Sequence, residues 1–113
     1  MTSEEVKEAI RQHRAAQGVR QLEVEEWGLV GENCLHVPPM TVGIRGTFFD
    51  KWNKSQYSAM VWLVAKMSKN KDGNLLFSEP VLRNEADPVI IEKIFAFISE
   101  PFLDKAEVET DPE

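Results

Sequence analysis

The sequence predicts a mainly α-helical fold, a small helical domain with an N-terminal β-hairpin. Apolar residues recur at helical spacing in several segments, and hydroxyl or aspartate side chains suited to capping precede these segments. Two short strand-like runs bounded by glycine, asparagine and proline precede the most apolar helices. With 113 residues and 42% hydrophobic content, the chain can build one modest core but not two. We therefore expect one domain over residues 1–103.

The first helix is expected to be mostly solvated. Thr2 and Glu5 have the spacing of a capping box, in which each side chain satisfies a free backbone amide. The helix should run to about Gln17, where a glycine follows that suits its end. Val6 and Ile10 give it only a narrow apolar stripe among charged residues.

A hairpin is predicted near residues 19–37. Residues 19–24 read as one strand, and residues 34–37 as a returning strand that a proline pair stops. A two-stranded hairpin is marginal alone, so we expect Trp27 and Leu35 to pack onto the helices.

The next two helices should supply much of the core. Thr41 is expected to cap the earlier one, in which Gly43 and Gly46 indicate either a close approach by another element or an irregular start. Ser55 should cap the later one, which is apolar around much of its circumference and should be central. One stripe of that central helix comprises Tyr57, Met60, Val61 and Val64.

The remaining elements follow a glycine turn. Residues 75–77 are expected to return the chain across the core, and Ser78 should open a short helix. Asp87 followed by proline is a strong helix start, and Pro101 is expected to end that last helix. The acidic residues 104–113 are predicted to form a disordered tail.

Composition excludes several partner classes. A net charge of −6 disfavours contact with nucleic-acid phosphates and anionic lipid, so no nucleic acid and no membrane is expected as partner. No apolar run reaches the roughly 18 residues of a membrane span, and acids occupy the N-terminus where a signal peptide needs bases. The lone Cys34 fits a reducing compartment. We expect a soluble, unexported protein that binds other proteins.

A calcium loop is the sharpest apparent motif. Counted from Ser68, the loop spacing places Asn70, Asp72 and Glu79 at ligand positions. However, the first ligand should be a carboxylate, the ninth position is the apolar Leu76, and two lysines would lie beside the cation. An ordinary glycine turn is favoured, and an EF-hand-like calcium-binding module remains an alternative.

Groups suited to catalysis are not brought together by any motif. Cys34 and His36 are too few for a metal site, which needs three or four ligands, and they suit packing better. Cys34 also has no adjacent base or helix N-terminus to activate its thiol. We therefore predict no enzyme, no catalytic residue, no cofactor and no bound metal.

The aromatic side chains allow two interpretations. Five large aromatics lie within fifteen residues, and aromatic stripes of this kind usually form the core. The second interpretation is that so many aromatics exceed what one small core can cover, and that the exposed ones mark a partner surface. The candidate partner-binding residues are Phe48, Phe49, Trp52, Trp62, Phe102 and Leu103.

The order of these signals resembles a known family. Residues 57–79 contain a helix beginning YSAMVW, the turn KDGN and the sequence LLFSE, and residues 22–28 read LEVEEWG. Over residues 19–99 this arrangement resembles the tail assembly chaperones of long-tailed, siphovirus-type phages and prophages. The sequence departs from that pattern at 80–83, where PVLR follows the phenylalanine-containing segment.

The resemblance implies a role without catalysis in phage tail morphogenesis. Such chaperones coat the long helical tape measure protein, help to recruit tail tube protein, and leave before the virion is complete. A frameshifted longer product also occurs in the family. The expected location is the host cell cytoplasm, and the expected state is a homo-oligomer whose weak contacts add up. A second alternative is a structural tail or connector component that stays in the virion.

Overall fold

The computed structural model describes residues 1–110, with side chains described through Phe102. Over that range the elements are α1 (Ser3–Gln17), β1 (Arg20–Leu22), β2 (Leu35–Val37), α2 (Val42–Lys54), α3 (Gln56–Met67), α4 (Glu79–Glu85) and α5 (Pro88–Thr110). Two single-turn 3₁₀ helices, Glu25–Trp27 and Gly31–Asn33, join the strands. The predicted fold class, mainly helical with an N-terminal hairpin, is confirmed.

Side-chain caps define where the helices begin. At the start of each of the helices α1 to α4, a serine or threonine hydroxyl oxygen accepts a hydrogen bond from the backbone amide three residues later. This bond satisfies one of the first-turn amides that have no partner within the helix. The four capping residues are Thr2, Thr41, Ser55 and Ser78. At α5, the Asp87 carboxylate accepts from the Val89 amide at 2.9 Å. The caps predicted from the sequence are confirmed, including the capping box of Thr2 and Glu5.

The hairpin lies within a slightly larger antiparallel arrangement. Strand β1 pairs with β2, with Leu22 opposite Leu35. On the other side of β2, the His36 amide donates to the Lys69 carbonyl at 2.7 Å, and Lys69 in turn bridges Leu75. This pairing ties the segment after α3 to the hairpin, so neither has to be stable alone.

Helix α3 is the centre of the core, as predicted. Seven of its twelve residues are buried, because α2, α4 and α5 all pack against it. Leu35 of the hairpin is fully buried, and the Trp27 ring meets the Phe77 ring edge-on with centroids 5.4 Å apart. The expectation that both hairpin residues pack inward is therefore confirmed.

Helix α1 lies apart from this core. None of its residues is buried, and Ile10 is 62% exposed. It approaches the rest of the molecule at its C-terminal end, where the Arg14 guanidinium donates to the Pro39 carbonyl at 3.0 Å. The prediction of a mostly solvated first helix is confirmed.

The prediction that Pro101 ends the last helix is wrong. Pro101 lies inside α5, which continues to Thr110. Proline has no amide hydrogen, so the Phe97 carbonyl loses its helical partner. The Arg20 guanidinium replaces it, donating to Phe97 O at 2.7 Å and to Ile98 O at 3.3 Å.

The predicted disordered tail falls only partly within the described structure. The backbone of 104–110 belongs to α5. The side chains from Leu103 onward, and residues 111–113 entirely, lie outside the described residues. The disorder of 104–113 therefore stays a prediction.

Three smaller expectations are corrected. Leu75 was expected to cross the core, but it is 58% exposed because its backbone forms the outer edge of the pairing with Lys69. Tyr57 was placed in the apolar stripe of α3, yet its ring is exposed at the first turn. Gly43 and Gly46 mark neither a close approach nor an irregular start: a Cβ at either would meet no atom within 4 Å, and α2 begins at its Thr41 cap.

Candidate partner-binding surface

Four of the predicted partner-binding residues meet in one aromatic cluster. The Phe48 ring is at its centre, with centroid distances of 5.2 Å to Phe49, 5.5 Å to Trp52 and 5.9 Å to Phe102. Phe95 from α5 joins them and stacks on Trp52 at 6.0 Å. The cluster packs α2 against α5. Its aromatic ring pairs stabilise the fold by more than the burial of their apolar surface alone.

The members of this cluster differ in exposure. Phe48 is only 1% exposed and Phe102 only 6% exposed, so both are core residues. Phe49 and Trp52 are half-buried at the edge of the core. The side chain of Leu103 lies outside the described residues. Any contact with a partner through this cluster would therefore be made by Phe49 and Trp52.

Trp62 forms a separate half-buried position on α3. It packs at the margin of the core rather than in the aromatic cluster. The Lys51 ammonium lies 5.5 Å from its ring centroid, which joins it to the neighbouring face of α2. Trp62 and the edge of the cluster thus lie on the two helices that pack most closely together.

A cavity that no sequence pattern predicts opens beside α2. We call it the α2 groove; its volume is about 400 Å³. Its wall is formed by the end of α1, both strands, the start of α2 and the segments that connect them, together with the end of α3 and part of α5. The lining residues are Gln17, Gly18, Arg20, Val37, Pro38, Pro39, Met40, Thr41, Val42, Arg45, Met67, Pro101 and Phe102. Pro38 and Pro39 were predicted only to stop a strand, and their missing amides leave an apolar wall.

The segment that resembles a calcium loop shapes a turn in the folded chain. Ser68 is fully buried. The Asn70 side-chain oxygen accepts from the backbone amides of Asp72 and Asn74, at 2.9 and 3.0 Å, and so shapes the turn. Within the described part of the chain, no three histidine, cysteine, aspartate or glutamate side chains converge on a possible metal position.

Cys34 and His36 make separate structural contacts. The buried Cys34 thiol donates to the Gln21 side-chain oxygen at 3.6 Å, and the His36 Nδ1 atom lies 3.1 Å from the Cys34 carbonyl. Gln21 is opposite His36 in the hairpin. These contacts hold the register of the two strands.

Tyr57 makes a polar contact between α3 and α5. Its hydroxyl donates a hydrogen bond to the Glu92 carboxylate. That bond favours the protonated phenol, and together with slight desolvation and the nearby negative charge it raises the pKa of Tyr57 above its ordinary value of 10.0. Tyr57 also lines a small cavity between α3, α4 and α5, together with Leu82 and Ile91.

Comparison with models of protein families, with curated proteins and with solved structures finds no match to this chain. Within the described residues, every helix is too short or too polar to cross a bilayer.

Proposed function

We propose that this chain is a tail assembly chaperone of a long-tailed phage or prophage, which binds the tape measure protein and helps to recruit tail tube protein. The sequence resemblance over residues 19–99 motivates the proposal. A mainly helical fold with a hairpin agrees with it. The described residues form no constellation that favours a competing metal-dependent function.

The proposed contact uses aromatic side chains that the core does not fully cover. Phe49, Trp52 and Trp62 lie half-buried on α2 and α3. Tryptophan and phenylalanine are enriched at protein interfaces because each buries a large area with few rotatable bonds. These three positions are the observation that carries the proposal.

Contacts made by only three aromatic side chains are suited to reversible coating of a long partner. A few aromatic side chains give modest affinity per copy, and several copies along one tape measure protein gain from neighbouring copies. The proposal places the chain in the host cell cytoplasm as a homo-oligomer when bound. It also expects release before the virion is complete, when tube protein replaces the chaperone.

The test is a binding titration between the purified chain and its tape measure protein. Trp62→Ser removes a half-buried ring at the margin of the core, and we expect it to weaken binding about tenfold or more, as hot-spot truncations do. Tyr57→Ser is the matched control, since it removes an exposed aromatic ring from the same helix. Unfolding curves for both variants establish that they remain folded. Equal binding by the folded wild type and the folded Trp62→Ser variant would contradict the assigned surface.

Virion composition tests the assignment against a structural tail or connector protein. Mass spectrometry of purified particles should find the tube protein and no copies of this chain. Stoichiometric amounts of the chain in mature particles would overturn the chaperone assignment.

A further inference from the structure

The α2 groove has an unusual charge for this molecule. The chain carries 19 acidic and 13 basic residues, yet among the side chains that the structure describes, through Phe102, the groove is lined by Arg20 and Arg45 and by no aspartate or glutamate. Arg14 lies at its edge through its hydrogen bond to Pro39. Among the described side chains, the acidic Glu100 lies beside the groove, 3.7 Å from the Arg20 guanidinium.

The interior of the groove is apolar. Val37, Met67 and Phe102 contribute buried side chains, and Met40 is half-buried. Val42, at its mouth, is 90% exposed at the first position of α2. The positive end of the α2 dipole lies there too, so an apolar surface is surrounded by positive potential.

Arg45 connects the groove with the aromatic cluster. Its guanidinium lies 5.2 Å from the Phe102 centroid and 5.8 Å from the Phe49 centroid. The ring faces attract the guanidinium of the exposed Arg45. A ligand entering the groove would therefore meet this cation beside the aromatic cluster.

Helix α1 continues this surface. Val6, Ile10 and Arg14 are spaced four residues apart, so they lie along one side of the helix. The Arg14 end of that side reaches Pro39 in the groove wall. The exposed apolar stripe of α1 thus leads toward the groove.

We propose that the α2 groove binds an amphipathic helix of a partner protein, with the apolar side chains of that helix in the groove and acidic side chains flanking them. A groove of about 400 Å³ accepts side chains rather than a folded domain. Its cationic rim selects acidic flanks, because like charges at such a rim oppose binding. This inference rests on the proposed function and specifies the chemistry of the tape measure segment that is recognised.

Two synthetic helical peptides test the charge preference. Both carry leucines at three- and four-residue spacing; glutamates flank the leucines in one peptide, and lysines in the other. The net charge of the whole chain favours the lysine peptide, whereas the groove favours the glutamate peptide. We expect the glutamate peptide to bind about tenfold more tightly in a fluorescence anisotropy titration. Equal affinity, or preference for the lysine peptide, would overturn the proposal.

The substitution Val42→Glu tests whether the peptide binds in the α2 groove. An acidic residue at the first position of α2 suits the helix dipole, so the variant should fold as well as the wild type. It should bind the glutamate peptide about tenfold more weakly, because it places a carboxylate at the groove mouth. Val89→Glu is the matched control: Val89 is 66% exposed in the first turn of α5 and does not line the groove. Equal effects of the two substitutions would contradict the assignment.

Arg45→Gln tests the cation itself. The variant should lose most of the preference for glutamate over lysine flanks, since it keeps a polar side chain and removes the charge. Unchanged preference would overturn the role assigned to the rim. If sedimentation shows a wild-type dimer that Val42→Glu dissociates, a second copy fills the groove and the proposal is wrong.

Failure of the groove proposal can be distinguished from failure of the chaperone proposal. Tape measure binding that Val42→Glu leaves unchanged would refute the groove and keep the chaperone proposal. Glutamate-peptide binding in the groove without any affinity for the tape measure protein would refute the chaperone proposal and keep the groove.

Discussion

Arg20 replaces the hydrogen bond that Pro101 removes from α5. Its guanidinium donates to the carbonyls of Phe97 and Ile98, one turn before the proline, and lies 4.4 Å from the Phe97 centroid. Arg20→Met should therefore lower the free energy of unfolding by about 1.5–3 kcal/mol, the typical cost of losing a hydrogen bond to a charged group. Urea unfolding, monitored by circular dichroism, measures this change in the free energy of unfolding.

A double-mutant cycle with Pro101→Ala supplies the control. Alanine restores an amide that can donate to the Phe97 carbonyl, so Arg20→Met should cost less in that background, by about 0.5 kcal/mol or more. Additive effects of the two substitutions would show that Arg20 stabilises the protein through other contacts, such as its ion pair with Glu100.

The hydrogen bond between Tyr57 and Glu92, near the N-terminal end of α5, makes the stability of the protein depend on pH in the alkaline range. Tyr57 is the one tyrosine in the sequence, so absorbance at alkaline pH reports its ionisation directly. The hydrogen bond to Glu92 raises the folded-state pKa above 10.0. Stability from this bond is therefore fully present below the unfolded-state pKa and is lost as pH rises through the folded-state pKa.

The titration is expected to have a higher midpoint in the native protein than in urea. Glu92→Gln should move the native midpoint toward the urea value, whereas Glu85→Gln, which removes a carboxylate not bonded to Tyr57, should not. Identical midpoints in native wild type and Glu92→Gln would contradict the assigned cause.

Helix α2 contains a destabilising residue that its surroundings do not require. Gly46 lies in the helix interior with open space where a Cβ would be. Gly46→Ala should raise the free energy of unfolding by about 0.5–1 kcal/mol, since alanine loses less conformational entropy in a helix. Thermal and urea unfolding measure the change.

Gly73→Ala is the contrasting substitution. Gly73 has a φ of +86°, which L-residues rarely adopt, so alanine there should destabilise the turn. A loss of stability in Gly46→Ala would show that α2 relies on the absence of a side chain at that position.

Local signals predicted the elements well because their causes are local. Thr41 and Ser55 each bond an amide three residues away, and both helix starts were predicted correctly. Pro101 was misinterpreted because its compensating partner, Arg20, is 77 residues from Phe97 in sequence. Likewise, the exposure of Leu75 follows from its pairing with Lys69 across the Asp72-Gly73 turn, which was interpreted as a glycine turn but not as a hairpin.

The candidate site was predictable only in part. Aromatic spacing identified the cluster around Phe48, but it could not separate the buried ring of Phe48 from the half-buried rings of Phe49 and Trp52. Burial of that kind depends on α5, which reaches the cluster only in three dimensions. The α2 groove was missed because it combines α1, the hairpin, α2 and α5.

The whole molecule combines a closed core with surfaces that the core leaves open. Helix α3 is enclosed by its neighbours, while α1 contributes no buried residue. The net charge of −6 opposes self-aggregation through long-range repulsion. Under the proposed function, the surfaces that the core leaves open would contact the partner chain.

Sedimentation of the chain mixed with its tape measure protein tests the chaperone proposal most directly. The proposal predicts that the tape measure protein stays soluble and sediments in one complex with several copies of this chain. A tape measure protein that precipitates as it does alone, while this chain sediments at its unmixed size, would contradict the proposal.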